Sequence, residues 1–435
     1  MHHSVRLLLS GAIFLLGFMA CGAAIADEVL AGTAQLGPRP FYLVDEMDRS
    51  RLKRELSACA ADTRVYEASD FSIGHRGAPM QFPEHTAESY IAAARMGAGI
   101  LECDVSITAD GELVCRHAQC DLHTTTNILE TPLAEKCSGQ PDFSSPTPYK
   151  NVRCCTTDIT LEEFKSLTGK MDAANGNAAT LDEYLNATAD WRTDLYTTSN
   201  GATLLSHAES IELFKSLGRK FTPELKSVNP DEFPPGIDQS AYARKLIREY
   251  IDAGVPARDV WAQSFNYEDV LLWINEYPDF GEQAVFLDGR YDQDIPLRDF
   301  RERKDDGLEI IAPPMQILLT ARNGRIVPSK YARRAKRAGL DIISWTTERS
   351  GRVREEIIPA NGAFYYDTTV NALANDGDIL TQIDVLVQRV GIFGLFSDWP
   401  ATTTFYANCK NVPALRAMRG DDDDDDEDDD DRDDD

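Results

Sequence analysis

The second half of this chain alternates between two textures, and that alternation limits its folds more than any other feature. Helix-period runs at 208–217, 240–253, 268–276, 329–338 and 379–389 each precede a short apolar run, at 220–226, 259–265, 283–288, 341–346 and 391–397. Helix-then-strand repetition feeds a parallel sheet, because parallel neighbours need a crossover and a helix supplies it. Further strand-like runs lie at 71–75, 100–106, 112–117 and 308–312, with a helix expected at 87–96 behind the N-cap candidate Thr86. That makes nine runs where a closed (β/α)8 TIM-type barrel needs eight, and 308–312 is the one expected to lie outside it. An open doubly wound sheet is the competing arrangement, but no glycine-rich dinucleotide fingerprint marks a first crossover.

Around this alternation the chain divides unevenly. Residues 1–26 have a start charged only at Arg6, an apolar run and Ala24-Ile25-Ala26 before Asp27, which is the pattern of a signal peptide. The apolar run is short for a transmembrane anchor, and none is expected. An N-terminal extension at 27–68 contains a helical stretch near 46–61, and the barrel is expected over 69–408. Within it, residues 118–200 are rich in Thr, Ser, Pro, Asn and Cys, too long for a simple connection, and read as an insertion subdomain after the third strand. Residues 409–435 form a C-terminal segment whose poly-acidic tail, from Asp421, is expected to be disordered because like charges repel and nothing apolar offsets ordering.

The net charge is −28, and the body stays acidic without that tail, which argues against nucleic acid as a partner. Loss of the leader removes Cys21 and leaves eight cysteines, an even number that suits disulfides in an exported, periplasmic or secreted protein. Spacing cannot choose their pairing. Cys120, Cys137, Cys154 and Cys155, in the loop-rich insertion, are the leading candidates, and the paired CxxC spacings of a zinc site are absent. Cys103 reads as a small residue facing the helix layer, while Cys115 has no clear place.

Chemistry-bearing residues gather at strand ends. In a barrel those ends share one face, where reactions occur. His75, Glu102, Asp104, His117, Glu224, Lys226, Phe265, Trp345 and Asp398 all lie at or near them. Glu102 and Asp104 are two apart on one strand, so they point the same way. Two imidazoles, same-face carboxylates and an arginine beside a glycine suit a phosphate site holding a hard divalent cation.

The ordered motifs HRG at 75–77, PEHT at 83–86, LECDV at 101–105, TADG at 108–111, PELK at 223–226, SF at 264–265, WT at 345–346 and SDWP at 397–400 resemble the glycerophosphodiester phosphodiesterase family. The resemblance runs from Ser72 to Pro400 and implies a barrel similar to that of phosphatidylinositol-specific phospholipases C. It implies hydrolysis of a small-molecule glycerophosphodiester to an alcohol and sn-glycerol 3-phosphate, with Ca2+ or Mg2+ as cofactor. Carried over, Glu102, Asp104 and Glu224 are the expected metal ligands, and His75 and His117 the acid–base pair. Arg76 and Lys226 would meet the phosphate. Glu84 would support the site or a substrate hydroxyl, and Phe265 and Trp345 would line the glycerol side. His85 stands where many relatives have Asn and is not assigned to catalysis, and His123 and His207 read as structural. Two other readings keep the barrel: a phospholipase D-like enzyme acting on intact lipids, and a surface adhesin. The complete ligand and histidine set argues against the adhesin, and the insertion and PEHT segment against the lipid enzyme. Starting directly after His117, the insertion is expected to roof the mouth. Headgroup preference and oligomeric state are not legible.

Overall fold

A computed structural model describes residues 33–62, 65–197 and 201–413, so the leader and the acidic tail lie outside the described residues. Nine strands matter for the site: β1 (Ser69–Gly74), β2 (Ala98–Ile107), β3 (Leu113–Cys115), β4 (Lys220–Leu225), β5 (Gln263–Ser264), β6 (Val285–Leu287), β7 (Ile310–Ala312), β8 (Asp341–Thr347) and β9 (Gly394–Ser397). Eight of them run parallel in the order β1-β9-β8-β7-β6-β5-β4-β2, and β1 pairs with β2 to close the barrel.

The strand outside the barrel is not 308–312, as the sequence reading had it. Residues 310–312 are fully buried and pair in parallel with both β6 and β8, so β7 is a stave. The outsider is β3, which runs antiparallel on the edge of β2. The reason is local. Only the turn Thr108–Glu112 separates the two strands, closed by Thr108 N–H donating to the Glu112 carbonyl at 2.9 Å. A connection that short can give only antiparallel pairing. The insertion therefore follows the second stave and its hairpin.

Helices α1 (Arg39–Glu46), α2 (Arg51–Ala60), α3 (Ala87–Arg95), α4 (His207–Ser216), α5 (Gln239–Asp252), α6 (Tyr267–Glu276), α7 (Leu297–Asp305), α8 (Lys330–Arg337), α9 (Asp378–Val385) and α10 (Pro400–Lys410) surround the sheet. The extension holds two helices rather than one. Ser50 starts the second by accepting the Lys53 N–H at 3.0 Å, as an N-cap does. Inside the barrel, Ile73, Ile100, Val285, Ile310, Ile343 and Phe396 form a compact apolar plug beneath the mouth. A larger apolar layer joins strands to helices, and α1 and α2 bury Leu43, Val44 and Leu56 in it. The insertion has its own small core, including Leu122, Ile128, Val152, Phe164 and Tyr184.

All eight described cysteines are paired, as Cys59–Cys409, Cys103–Cys115, Cys120–Cys155 and Cys137–Cys154. The two insertion bridges fall among the four cysteines favoured from sequence. Cys103 is not merely a small buried residue: it ties β2 to β3, where Val105 is the Cα partner of Cys115.

Candidate active site

β1 ends at Gly74, and the chain turns sharply through His75-Arg76-Gly77, with Arg76 at φ +57° and Gly77 at φ +93°. A Cβ at Gly77 would meet Ser89 Oγ at 2.3 Å, so only glycine lets this loop close against α3. The turn aims the Arg76 N–H at Glu102 Oε2, 3.0 Å away, and the loop returns with His85 N–H donating to the Arg76 carbonyl at 3.0 Å.

His75 is buried, and its Nδ1 lies 2.5 Å from Asp398 Oδ1. Burial would raise Asp398, but Arg349 and His75 hold it down at about 2, with Arg349 Nη1 donating to Oδ2 at 2.9 Å. An ionised Asp398 makes Nδ1 the donor and leaves the lone pair on Nε2, which is 3.9 Å from Glu102 Oε2. Burial outweighs Asp398 and lowers His75 to about 4, so the ring is neutral near pH 7. His117, just past β3, is lowered well below the ordinary histidine value by burial and then by the positive charges of Arg76 and Lys226.

Pairing of β2 with β4 sets Asp104 opposite Glu224, with Glu102 on the same face of β2. One oxygen from each of Glu102, Asp104 and Glu224 lies within 4.8 Å of the others. Glu102 Oε1 accepts from Gln263 Nε2 at 3.0 Å, Asp104 Oδ2 accepts from His85 Nε2 at 2.8 Å, and Lys226 bonds to Glu224. Asp104 Oδ1 is buried with no hydrogen-bond partner. Burial, then the neighbouring carboxylates, pushes Glu102 well above its ordinary range. Burial lifts Glu224 to about 7, although Lys226 opposes it. For Asp104, burial loses to Lys226 and His85, and the carboxyl is held low. Buried carboxylates that resist joint ionisation, one with an orphaned oxygen, fit a hard cation with oxygen ligands.

Arg76 Nη1 donates to both oxygens of buried Glu84 at 3.1 Å, and Arg76 with Arg349 keeps that carboxyl ionised against burial. Glu84 and Asp104 thus stand behind a cavity of about 410 Å³ that the other expected site residues, His75, Arg76, Glu102, His117, Glu224, Lys226, Phe265 and Trp345, all line. Sequence reading assigned nothing to Arg349, Tyr291, Tyr365 and Gln263, which also line it, and gave Asp398 a position but no role. Arg349 lies two residues beyond β8, and nearness to a strand end was the available signal. His85 acts behind the site, bridging Asp104 and the Tyr90 hydroxyl. His207 pairs with Glu249 at 2.7 Å, and His123 Nδ1 accepts the Cys154 N–H at 3.3 Å.

The described residues of the insertion do not roof this cavity: none of them lines it. The insertion packs around its own core beside the mouth and touches the rim from behind. Thr193 N–H donates to the Met80 carbonyl, Arg192 Nε to the Pro79 carbonyl, and an Arg192 nitrogen lies 3.9 Å from Glu84. Tyr291, in the loop after β6, and Tyr365, beyond β8, stand at the mouth instead.

Comparison with known proteins places the chain among relatives and a fold. An extracellular protein of Arthroderma benhamiae is 42% identical over 248 residues, 56% of this chain and all of that protein. A glycerophosphodiester phosphodiesterase of Arabidopsis thaliana is 26% identical over 165 residues, 36% of this chain and 41% of that protein. A crystal structure from Silicibacter pomeroyi that carries the same family name superposes with a TM-score of 0.50 at 16% identity, covering 81% of this chain and 97% of that one, which speaks for the fold alone. The sequence pattern of the glycerophosphoryl diester phosphodiesterase family matches residues 75–402, and the chain belongs to that family.

Proposed function

We propose that this protein is an exported, divalent-cation-dependent hydrolase that converts glycerophosphodiesters to an alcohol and sn-glycerol 3-phosphate. The observation that carries the reading is one cavity lined by two histidines and by Glu102 and Glu224, with Asp104 directly behind them to complete a cluster of three buried carboxylates from two paired strands. Glu102, Asp104 and Glu224 hold the cation, Ca2+ or Mg2+ by their oxygen chemistry. Bound there, it supplies positive charge against the phosphoryl oxygens and settles the three carboxylates as anions.

The chain's own residues do the rest. Arg76 and Lys226 meet the phosphodiester, and Glu84 fixes the Arg76 fork by holding Nη1. His75, held by Asp398 with its Nε2 lone pair free of that bond, takes the proton from the glycerol 2-hydroxyl as that oxygen bonds to phosphorus. The bond from phosphorus to the alcohol breaks, and His117, entering this step as the imidazolium that the anionic phosphodiester favours, gives its proton to the departing oxygen and becomes neutral. Water then opens the cyclic phosphate with the two histidines in exchanged roles. Phe265 and Trp345 face the organic part of the substrate. Four disulfides, a leader-like N-terminus and the extracellular relative support export.

The test is release of glycerol 3-phosphate from glycerophosphocholine, with and without a chelator, by the wild type and by His75→Ala and His117→Ala. Chelation should abolish release reversibly, and each substitution should lower kcat by about 10²–10⁴-fold. Undiminished activity in either variant, or release that ignores the chelator, would remove the mechanism.

A further inference from the structure

The cavity has two chemically different halves. His75, Arg76, Glu102, His117, Glu224 and Lys226 make one of them, and it is fully engaged by the phosphate reading. The other is built from Phe265, Leu287, Tyr291, Trp345 and Tyr365, with Phe364 stacked just outside. Phe364 stacks on one side of Trp345 at 28° and 6.4 Å, and the other rings meet near right angles. Phe265 crosses Trp345 at 86° and 5.8 Å, Tyr291 crosses Phe364 at 84° and 5.5 Å, and Tyr365 crosses Trp345 at 82° and 6.1 Å.

These rings are held in place, and in the open. Tyr291 is 52% exposed, Phe364 46% and Phe265 37%. Tyr291 and Phe364 both sit in the left-handed backbone region, at φ +48° and +65°, which bulky residues rarely enter. The Tyr291 loop is anchored by buried Asp288, which accepts from Arg290 Nη2 at 2.6 Å and from the Tyr331 hydroxyl at 2.7 Å. Gly289 lets that loop pass Phe265, since a Cβ there would be 3.2 Å from the ring. Trp345 Nε1 donates to the Ala312 carbonyl at 2.8 Å, so its indole is fixed and its one donor is spent. Aromatic rings braced against one another and still partly exposed form a preorganised surface.

This half offers few hydrogen bonds to a ligand. Its own polar atoms are the two tyrosine hydroxyls; Glu224 and Lys226, the charges that bear on Tyr291, are bonded to each other, and the cations that bear on Tyr365, Arg349 and Arg76, are held by Asp398 and Glu84. A polyol placed here would leave hydroxyls unpaired, and a primary ammonium would leave N–H groups unpaired, each at a desolvation penalty. A methylated ammonium has neither problem: it carries no N–H, it is apolar at its surface, and its charge is attracted to the ring faces. Glycerol, with hydroxyls to satisfy, belongs to the polar half.

We propose that the aromatic half is a subsite for the quaternary ammonium of a choline-type alcohol, making this chain selective for glycerophosphocholine among glycerophosphodiesters. The inference rests on the hydrolase reading above and moves Phe265 and Trp345 from the glycerol to the departing alcohol.

The experiment compares kcat/KM for glycerophosphocholine, glycerophosphoethanolamine, glycerophosphoinositol and the uncharged 3,3-dimethylbutyl isostere of the choline ester. Glycerophosphocholine should lead each by about tenfold, equivalent to about 1.4 kcal/mol. Tyr291→Leu and Phe265→Leu should shrink that lead to about twofold or less, while Tyr291→Phe, which keeps the ring face, preserves it. An isostere as good as the choline ester would overturn the cation assignment, and equal or better use of the inositol or ethanolamine ester would overturn the subsite. Should no diester be cleaved, the hydrolase reading falls instead. Calorimetric titration of His75→Ala with glycerophosphocholine and with the isostere then decides the inference by their affinities.

Discussion

His75 and His123 are both pushed down to about 4 by burial, but only His75 faces the cavity. His123 stands in the insertion, where its Nδ1 must stay unprotonated to accept the Cys154 N–H. An unfolded histidine titrates near 6.5, so between pH 6.5 and 4 the unfolded chain binds a proton that the folded one refuses. Stability at this site is therefore present above pH 6.5 and lost as pH falls towards 4, by about 3 kcal/mol. Thermal unfolding of wild type and His123→Asn across that range should show a steep loss for the former and a shallower one for the latter; parallel curves would exclude His123 as a source. At this scale much of the site was legible. Strand parity put Glu102 and Asp104 on one side, and strand ends located His75, His117 and Glu224. Arg349 was not, because its arrival at Asp398 depends on how the chain turns after β8, and residue spacing carries no trace of that.

Among elements, the β2–β3 hairpin carries the most consequence for the site. It delivers His117 from outside the barrel, on a strand with only three paired residues. The Cys103–Cys115 bridge pins that short strand to a stave. Cys103→Ser with Cys115→Ser should lower stability by about 3 kcal/mol, the loop-closure expectation for a short ring. It should also lower kcat more than it raises KM, since His117 loses its support while the aromatic half is untouched. Chemical denaturation and steady-state kinetics on the same preparation would check both, and an unchanged kcat would mean that β2 alone positions His117. The hairpin also explains the misassigned strand. Nine apolar runs look alike as composition, and what separates 112–117 from 308–312 is the connection preceding each: a tight turn forbids parallel pairing, and a helical crossover permits it.

For the molecule as a whole, a cation held by the three buried carboxylates as proposed would be a stability term. A ligand bound only by the folded state adds about 2.7 kcal/mol at a hundredfold excess over its Kd. Millimolar Ca2+ or Mg2+ should raise the Tm of wild type and leave that of Glu102→Gln with Glu224→Gln almost unmoved, as read by calorimetry. An equal rise in both would place the cation elsewhere. The barrel itself was legible from the helix–strand alternation, because each crossover writes its own period into the sequence. The insertion's position was not, since its apolar residues serve a local core and say nothing about which way that core docks.

The bridges also impose a timetable. Three of them join cysteines 12, 17 and 35 residues apart, and the fourth joins residues 350 apart. If the chain is exported as proposed, emerging from its N-terminus into an oxidising compartment, it can complete the hairpin and insertion bridges while most staves are still unmade. Cys59 must wait for Cys409, which follows the last stave. Until then it is an unpaired thiol among neighbours already oxidising, so the correct outcome depends on the early pairs forming quickly enough to leave Cys59 no rival partner. Assembly of this barrel is in that sense a race, and the shortest loops have to win it.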